Sequence, residues 1–166
     1  MRIRYAVADS TLGTLVVGAT DRGVCSIAFG DSAEELVEGL RKAFPRAELK
    51  RMDRELEYAV AAIVAGLKEH PGAIELPMDV RGTAFQQRVW RELQAIPRGE
   101  TRTYTEVAEA IGSPRSVRAV AGACGANPLA VVVPCHRVVG KDGSLTGYRW
   151  GVERKRALLE AERNPV

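Results

Sequence analysis

Three strand-like runs separated by tight-turn signals open the chain and limit what its N-terminal half can fold into. The runs are RIRYAVA, TLVVGAT and VCSIAF, which are short and either alternating or rich in β-branched residues. DSTLG and DRG between them are strong turn signals, and connections this short join neighbouring strands that run in opposite directions. The pattern therefore predicts an antiparallel meander.

Helical signals follow the meander. Ser32 and Glu35 have the spacing of a capping box, and apolar residues then recur at helical spacing until Pro45. A second amphipathic helix is predicted over residues 53–69, with His70 as a solvated cap at its C-terminal end.

Beyond residue 80 the signals are almost entirely helical. Capping pairs, a Ser-Pro start and apolar periodicity predict four helices, which begin near Thr83, Thr103, Ser113 and Val152. The helix from Ser113 is predicted to end near Ala126, and the helix from Val152 near Glu162. The fold class is therefore α+β. We expect a small antiparallel-sheet domain over residues 1–78 and a mostly helical domain with a helix-turn-helix over residues 79–166.

The net charge of +3 conceals an asymmetry between the two halves. Residues 1–80 hold 10 Lys/Arg against 13 Asp/Glu, whereas residues 81–166 hold 14 against 8. A basic C-terminal half favours an anionic partner, nucleic acid first, although an ordinary solvated surface is the alternative. No apolar run approaches the ~20 residues that span a bilayer, so we expect no membrane contact and a cytoplasmic location.

The predicted helix after Ser113 carries an unusual face. Arg118, Gly122 and Gly125 lie together on it, with Arg115 one turn earlier. Glycine costs ~1 kcal/mol at an interior helix position, so two glycines need a reason. Close approach of the backbone to nucleic acid is favoured over the alternative, tight helix–helix packing.

Residues 131–139, VVVPCHRVV, place Pro-Cys-His-Arg between two apolar runs that are predicted to be buried strands. Cys25 and Cys124 have the spacing of small buried core residues, whereas Cys135 stands in a polar quartet and is the candidate nucleophile. A free thiol has a pKa of ~8.5 and needs a base at neutral pH. His136 is the candidate base, since the other histidine lies at a helix end.

Residues that are adjacent in an extended chain rarely face each other. We therefore expect a water molecule between Cys135 and His136, and a carboxylate that is hydrogen-bonded to the imidazole. Glu160 and Glu162 are both candidates for that carboxylate. The cysteines number three and are widely spaced, without a Cys-x-x-Cys pair, so a reduced protein without disulfides or a zinc site is predicted.

Several blocks, read together and in order, resemble the O6-alkylguanine-DNA alkyltransferases: RGTAFQQRVW, IPRGETRTY, SVRAVAGACGANP and VVVPCHRVVGKDGSLTGYRWG. The pattern is most like the C-terminal alkyltransferase half of the bacterial adaptive-response protein. The resemblance implies a ribonuclease H-like N-terminal domain packed on the helical one. It also implies irreversible, single-turnover transfer of the alkyl group of O6-alkylguanine, and also of O4-alkylthymine, to the protein.

The resemblance implies a role for each catalytic position. Cys135 would accept the alkyl group, and His136 would take its proton through a water. Glu162 would orient the histidine, Asn127 would brace the active-site turn, and Tyr104 would protonate the departing guanine. No cofactor or metal is implied.

The implied partner is double-stranded DNA. The helix-turn-helix of a monomer would enter the minor groove, and the damaged nucleotide would be flipped out of the duplex. Cooperative assembly on DNA is left open. Arg118 would fill the vacated space in the base stack. Other DNA contacts implied are Thr103, Arg115, Ser116, Gly122 and Gly125. The pocket residues implied are Val138, Tyr148, Arg149 and Trp150, of which the bulky Arg149 and Trp150 leave the tolerance for large alkyl groups open.

Overall fold

The structure, a computed structural model, describes residues 1–68 and 76–163 and divides into two compact units, Met1–Val80 and Arg81–Val166. This division falls two residues after the boundary predicted from the sequence. The predicted cap at His70 and helix end at Glu69 lie outside the described residues. Within the described ranges, no helix is both long and apolar enough to cross a membrane.

The first unit is built on a four-stranded sheet. The predicted meander is confirmed as β1 (Arg2–Ser10), β2 (Gly13–Thr20) and β3 (Gly23–Gly30), paired antiparallel in sequence order. A fourth strand, β4 (Glu48–Arg51), which was not predicted, pairs parallel with β1, so the sheet is mixed. β4 gave no signal because its sequence, ELKR, is short and polar.

Two helices pack on this sheet. α1 (Ala33–Ala43) begins at the predicted cap, where Ser32 Oγ accepts a hydrogen bond from the Glu35 amide at 3.2 Å. α2 (Glu57–Lys68) begins four residues later than predicted, because the Asp53 carboxylate instead accepts a hydrogen bond from the amide of Val7 in β1. The thiol of Cys25 is buried in the sheet, as predicted.

The second unit is mostly helical, with one short parallel strand pair. Capping boxes start both of its first two helices, at Thr83 with Gln86 and at Thr103 with Glu106, which confirms both predicted starts. The elements are α3 (Ala84–Gln94), β5 (Arg102–Thr103), α4 (Tyr104–Ala110), α5 (Val117–Gly125), a 3-10 helix (Cys135–Arg137), β6 (Val138–Val139) and α6 (Val152–Arg163).

The helix-turn-helix is formed by α4 and α5, but α5 begins three residues later than predicted. The amide of Ser116 donates to the carbonyl of Ser113 at 2.9 Å, and the two hydroxyls share a hydrogen bond of 2.6 Å. Ser113-Pro114 therefore forms the turn instead of the first turn of the helix, and Ser116 occupies the N-cap. The connection between α4 and α5 is longer for that reason.

Candidate active site

The residues just before Cys135 form a turn, and this turn positions the cysteine. Residues 131–133 were predicted to be a buried strand, and this is wrong: Val131 has a φ of 70°, the left-handed region, and the amide of Val132 donates to the carbonyl of Ala130. A left-handed conformation costs a β-branched residue ~1–2 kcal/mol and cannot continue a strand. The second apolar run does form a strand, β6, paired parallel with β5.

Asn127 braces this turn from the end of α5. Its side chain is fully buried, its Nδ2 donates to the carbonyl of Val133 at 2.8 Å, and its Oδ1 accepts from the amide of Leu129 at 2.9 Å. The same Nδ2 lies 3.3 Å from the Cys135 sulfur. One amide therefore fixes the loop before the cysteine and supplies a donor to its thiol.

The Cys135 thiol is not ionised by its surroundings alone. The side chain is 4% exposed, and this burial raises its pKa. The hydrogen bond from Asn127 and the positive charges of Lys155 and Arg149 oppose the effect of burial without cancelling it. Forming a thiolate here therefore requires a base.

Of the two glutamates that the residue pattern left open, it is Glu162 that contacts His136, the candidate base. His136 Nε2 lies 2.9 Å from one carboxylate oxygen of Glu162, whereas Glu160 is exposed on the same helix. Arg137 also holds Glu162, with its Nη2 2.8 Å from Oε2, and its Nη1 donates to the carbonyl of Ile96.

The protonation states follow from these contacts. Burial would raise the pKa of Glu162, but hydrogen bonds from His136 and Arg137 lower it to about 2, so the carboxylate is ionised. A carboxylate only accepts hydrogen bonds, so Nε2 of His136 carries the ring proton and Nδ1 has the free lone pair. Nδ1 is buried and has no hydrogen-bond partner among the described residues. Burial also lowers the pKa of His136, which keeps the ring neutral and able to accept a proton.

Cys135 opens into a cavity of about 400 Å³. Of the predicted pocket residues, Tyr148 and Arg149 line this cavity, whereas Val138 and Trp150 are buried and do not line it. The ring of Trp150 instead packs edge-on against Tyr148, with 5.3 Å between the ring centroids. The lining consists of Tyr104, Ala121, Cys124, Gly125, Cys135, Thr146, Gly147, Tyr148 and Arg149.

Tyr104 contributes a phenol to this cavity. Its hydroxyl donates to the carbonyl of Thr146 at 3.2 Å, and burial raises its pKa, so the phenol stays protonated at neutral pH. Cys124, predicted to be a buried core residue, is indeed buried, but it also lines the cavity. Burial, with a smaller contribution from Cys135, raises the Cys124 pKa to about 12.

Sequence reasoning missed Lys155, which is fully buried on α6. Its Nζ donates to the carbonyls of Thr146 and Gly147 at 3.4 and 3.2 Å and lies 6.0 Å from the centre of the Tyr104 ring. It therefore holds the loop that forms one wall of the cavity. A signal was present: Lys155 lies three, four and seven residues before Leu158, Leu159 and Glu162, on the inward stripe of the helix.

The exposed face of α5 carries the predicted DNA contacts. Arg118, Gly122 and Gly125 are all exposed, as is Arg115 just before the helix. A Cβ added at either glycine would meet nothing within 4 Å in the described structure, so tight helix packing does not explain them. The two remaining predicted contacts occupy N-caps, Ser116 of α5 and Thr103 of α4.

Known proteins match both units. A family model described as "6-O-methylguanine DNA methyltransferase, ribonuclease-like domain" matches residues 3–80, and one described as "6-O-methylguanine DNA methyltransferase, DNA binding domain" matches residues 84–164. The crystal structure of Mycobacterium tuberculosis OGT in complex with DNA superposes with a TM-score of 0.83 at 38% identity, covering 96% of this chain and 92% of that chain.

Two curated relatives match almost the whole chain. The Escherichia coli bifunctional transcriptional activator/DNA repair enzyme Ada is 48% identical over 162 residues, which cover 98% of this chain and 46% of Ada. The chain thus spans about half the length of that relative. A methylated-DNA–protein-cysteine methyltransferase of Mycolicibacterium paratuberculosis is 43% identical over 162 residues, 97% of this chain and 93% of the relative.

Proposed function

The chain belongs to the 6-O-methylguanine DNA methyltransferase family, and from this premise we propose that it repairs DNA by moving the alkyl group of O6-alkylguanine onto Cys135. One observation carries the proposal. Cys135 lines a cavity, and the neighbouring His136, which burial keeps neutral, is oriented by its hydrogen bond to Glu162 and has its Nδ1 unpaired within the described structure. That arrangement is suited to generating a thiolate away from bulk water.

The reaction begins with proton transfer from Cys135 to Nδ1 of His136 through an intervening water. Glu162 stabilises the imidazolium that results, because its carboxylate accepts the hydrogen bond from Nε2. The thiolate then attacks the alkyl carbon in line, the carbon–O6 bond breaks, and its electron pair passes into guanine. Tyr104, which is protonated at neutral pH, supplies a proton to the purine as it leaves.

The product is a thioether, which has no easy route back to the thiol. One chain therefore repairs one lesion, and every reacting group is a side chain, so the reaction needs no cofactor or metal. O4-alkylthymine, which presents an alkyl group on a similar exocyclic oxygen, is a second proposed substrate. The proposed site of action is inside the cell, where the DNA is.

The target oxygen is shielded inside a duplex, so the damaged nucleotide must be extruded into the cavity. The exposed face of α5 suits this step, since Gly122 and Gly125 leave its backbone open to the minor groove and Arg118 lies on the same face. We propose that Arg118 occupies the space that the extruded base leaves, and that phosphate contacts come from Arg115 and the caps of α4 and α5.

Intact-mass spectrometry tests the function. The protein is incubated with a duplex that contains one O6-methylguanine, and the expected result is a mass increase of one methyl group per chain, followed by no further reaction. A thiol hydrolase would turn over repeatedly on acyl substrates, and a sensor that only binds damaged bases would leave the protein mass unchanged. Either result would overturn the proposal.

Arg118→Ala should slow repair of the duplex far more than reaction with free O6-benzylguanine. Unstacking a base costs a few kcal/mol, so losing the residue that fills the gap is expected to slow duplex repair by about tenfold or more. Arg156→Ala is the matched control, because Arg156 is also exposed but lies on α6 and is not among the proposed DNA contacts. Equal slowing on both substrates would remove the proposed role of Arg118.

A further inference from the structure

Arg137 binds the carboxylate of Glu162 through two nitrogens of its guanidinium. Nε lies 2.9 and 3.0 Å from the two carboxylate oxygens, and Nη2 donates to Oε2 at 2.8 Å. The remaining nitrogen, Nη1, donates to the carbonyl of Ile96, just after α3, at 2.7 Å. The guanidinium is therefore fixed between α6 and the end of α3, in the forked geometry that arginine offers and lysine does not.

The same carboxylate orients the base. The two oxygens of Glu162 lie 2.9 and 3.2 Å from Nε2 of His136. The side chains of His136 and Glu162 are 1% and 6% exposed, and that of Arg137 is 15% exposed. Water screens charges weakly in such a place, so a change of charge on any one of these three side chains affects the other two.

A buried carboxylate beside an imidazole has two opposite effects on a general base. By accepting a hydrogen bond from Nε2 it fixes the tautomer that leaves Nδ1 free, but its negative charge also favours the imidazolium. An imidazole that already carries two protons cannot accept the proton of Cys135. The base therefore needs the hydrogen bond to Glu162 without the full effect of the carboxylate charge.

The groups around His136 act on it in opposite directions. Burial is the largest effect and lowers the pKa of the imidazole, whereas the hydrogen bond and the charge of Glu162 raise it. The positive charges of Arg137 and of Lys155 on α6 lower it again. Cys135, on the same 3-10 helix, is uncharged at neutral pH because burial raises its pKa, and the end of α3 contributes an uncharged carbonyl. Arg137 binds the carboxylate itself, whereas Lys155 binds backbone carbonyls.

We propose that Arg137 is a positioning residue: by pairing with Glu162, it lets the carboxylate orient His136 while Nδ1 stays free to accept a proton at neutral pH. The inference rests on the proposed function, in which His136 is the base. Without the charge of Arg137, the carboxylate would attract a second proton to the ring. Nδ1 would then become protonated at a higher pH, and the acceptor for the thiol proton would be lost.

Nitrogen NMR of protein labelled with ¹⁵N-histidine tests this directly, because the chain contains two histidines and the Nδ1 shift reports its protonation. The wild-type chain, Arg137→Gln and Arg137→Lys are titrated without DNA, and His136 is assigned by the signal that His136→Gln lacks. We expect Nδ1 of the wild-type chain to be unprotonated at neutral pH. Arg137→Gln should raise the midpoint of its protonation by about one pH unit. Arg137→Lys should raise it less, because an ammonium keeps the charge but not the forked pairing.

Arg98→Gln is the matched control. Arg98 Nη2 donates to the backbone carbonyl of Ala161 at 2.9 Å, so this change removes an arginine that is bound next to Glu162 but through the backbone of α6. We expect the His136 midpoint of Arg98→Gln to equal that of the wild-type chain. A shift as large as that of Arg137→Gln would contradict a specific role for the pairing of Arg137 with the carboxylate.

A purely structural role for Arg137 would lower stability and the rate of methyl transfer at every pH without moving the Nδ1 midpoint, and this result would overturn the inference. If Arg137→Gln does not fold, the same criterion applies to Arg137→Lys, and a protonated Nδ1 in the wild-type chain at neutral pH would overturn the inference without any variant. Methyl uptake from an O6-methylguanine duplex is measured separately. Failure of the wild-type chain to take up the methyl group would contradict the proposed function, whereas uptake with an unmoved midpoint contradicts the role of Arg137 alone.

Discussion

Cys135→Ser should abolish methyl transfer, and intact-mass spectrometry after incubation with an O6-methylguanine duplex should find no modified chain. A serine hydroxyl occupies nearly the same space as the thiol but is far harder to ionise, so the base that deprotonates sulfur cannot generate an alkoxide at neutral pH. We expect no other residue to take over: Cys124 lines the same cavity, but burial raises the pKa of its thiol to about 12, so it stays protonated.

Cys124→Ser is the matched control for this change, because Cys124 lines the same cavity. Its pKa is raised to about 12, so its thiol remains protonated at neutral pH and is not expected to react. We expect Cys124→Ser to take up one methyl group per chain, with peptide mapping locating it on Cys135. A methyl group on Cys124 of the wild-type chain, or on the Cys135→Ser variant, would contradict the assignment of the nucleophile.

His136→Gln should slow methyl transfer by about 100-fold at neutral pH, which is the low end of what a general base contributes. The glutamine amide can replace Nε2 as a donor to Glu162, so the buried pair of Glu162 and Arg137 is preserved and the fold is expected to survive. What disappears is the lone pair at Nδ1, and with it the acceptor for the thiol proton. Single-turnover rates measured from pH 7 to about 10 test this.

The pH profile separates a base from a structural residue. Without the base, the thiolate must form by direct ionisation of a thiol whose pKa is raised by burial, so the rate of His136→Gln should climb towards the wild-type rate as the pH increases. A defect that stays constant with pH would indicate misplacement of Cys135 instead.

The elements that could be predicted from the sequence are those specified by local interactions. The three strands of the meander carry their own turn signals, and the caps at Ser32, Thr83 and Thr103 are completed by residues only three positions later. Ser113-Pro114 has the same local appearance as a helix start, yet Ser116 takes the cap. Hydrogen bonds between Ser113 and Ser116 close a turn here, and the residue types alone do not distinguish this turn from a helix start.

The candidate site shows the same division. Cys135 and His136 stand out in a polar quartet, but only the fold brings Glu162, 26 positions after His136, to the imidazole. The left-handed Val131 could not be anticipated, since valine disfavours that conformation and nothing local requires it. It belongs to a turn that is held by tertiary contacts, among them the hydrogen bond from Asn127 to the carbonyl of Val133.

Lys155 and Glu162 project from the same side of α6, so this helix sets the distance between the carboxylate that orients the base and the ammonium that supports the cavity wall. Seven positions span about two turns, roughly 10 Å of rigid backbone. Inserting or deleting a single residue between them would rotate one side chain by about 100° about the helix axis relative to the other. The helix could then not place Glu162 against His136 and Lys155 against the cavity wall at the same time. Length variation among related chains is therefore expected to be absent from this interval and to accumulate in surface loops instead.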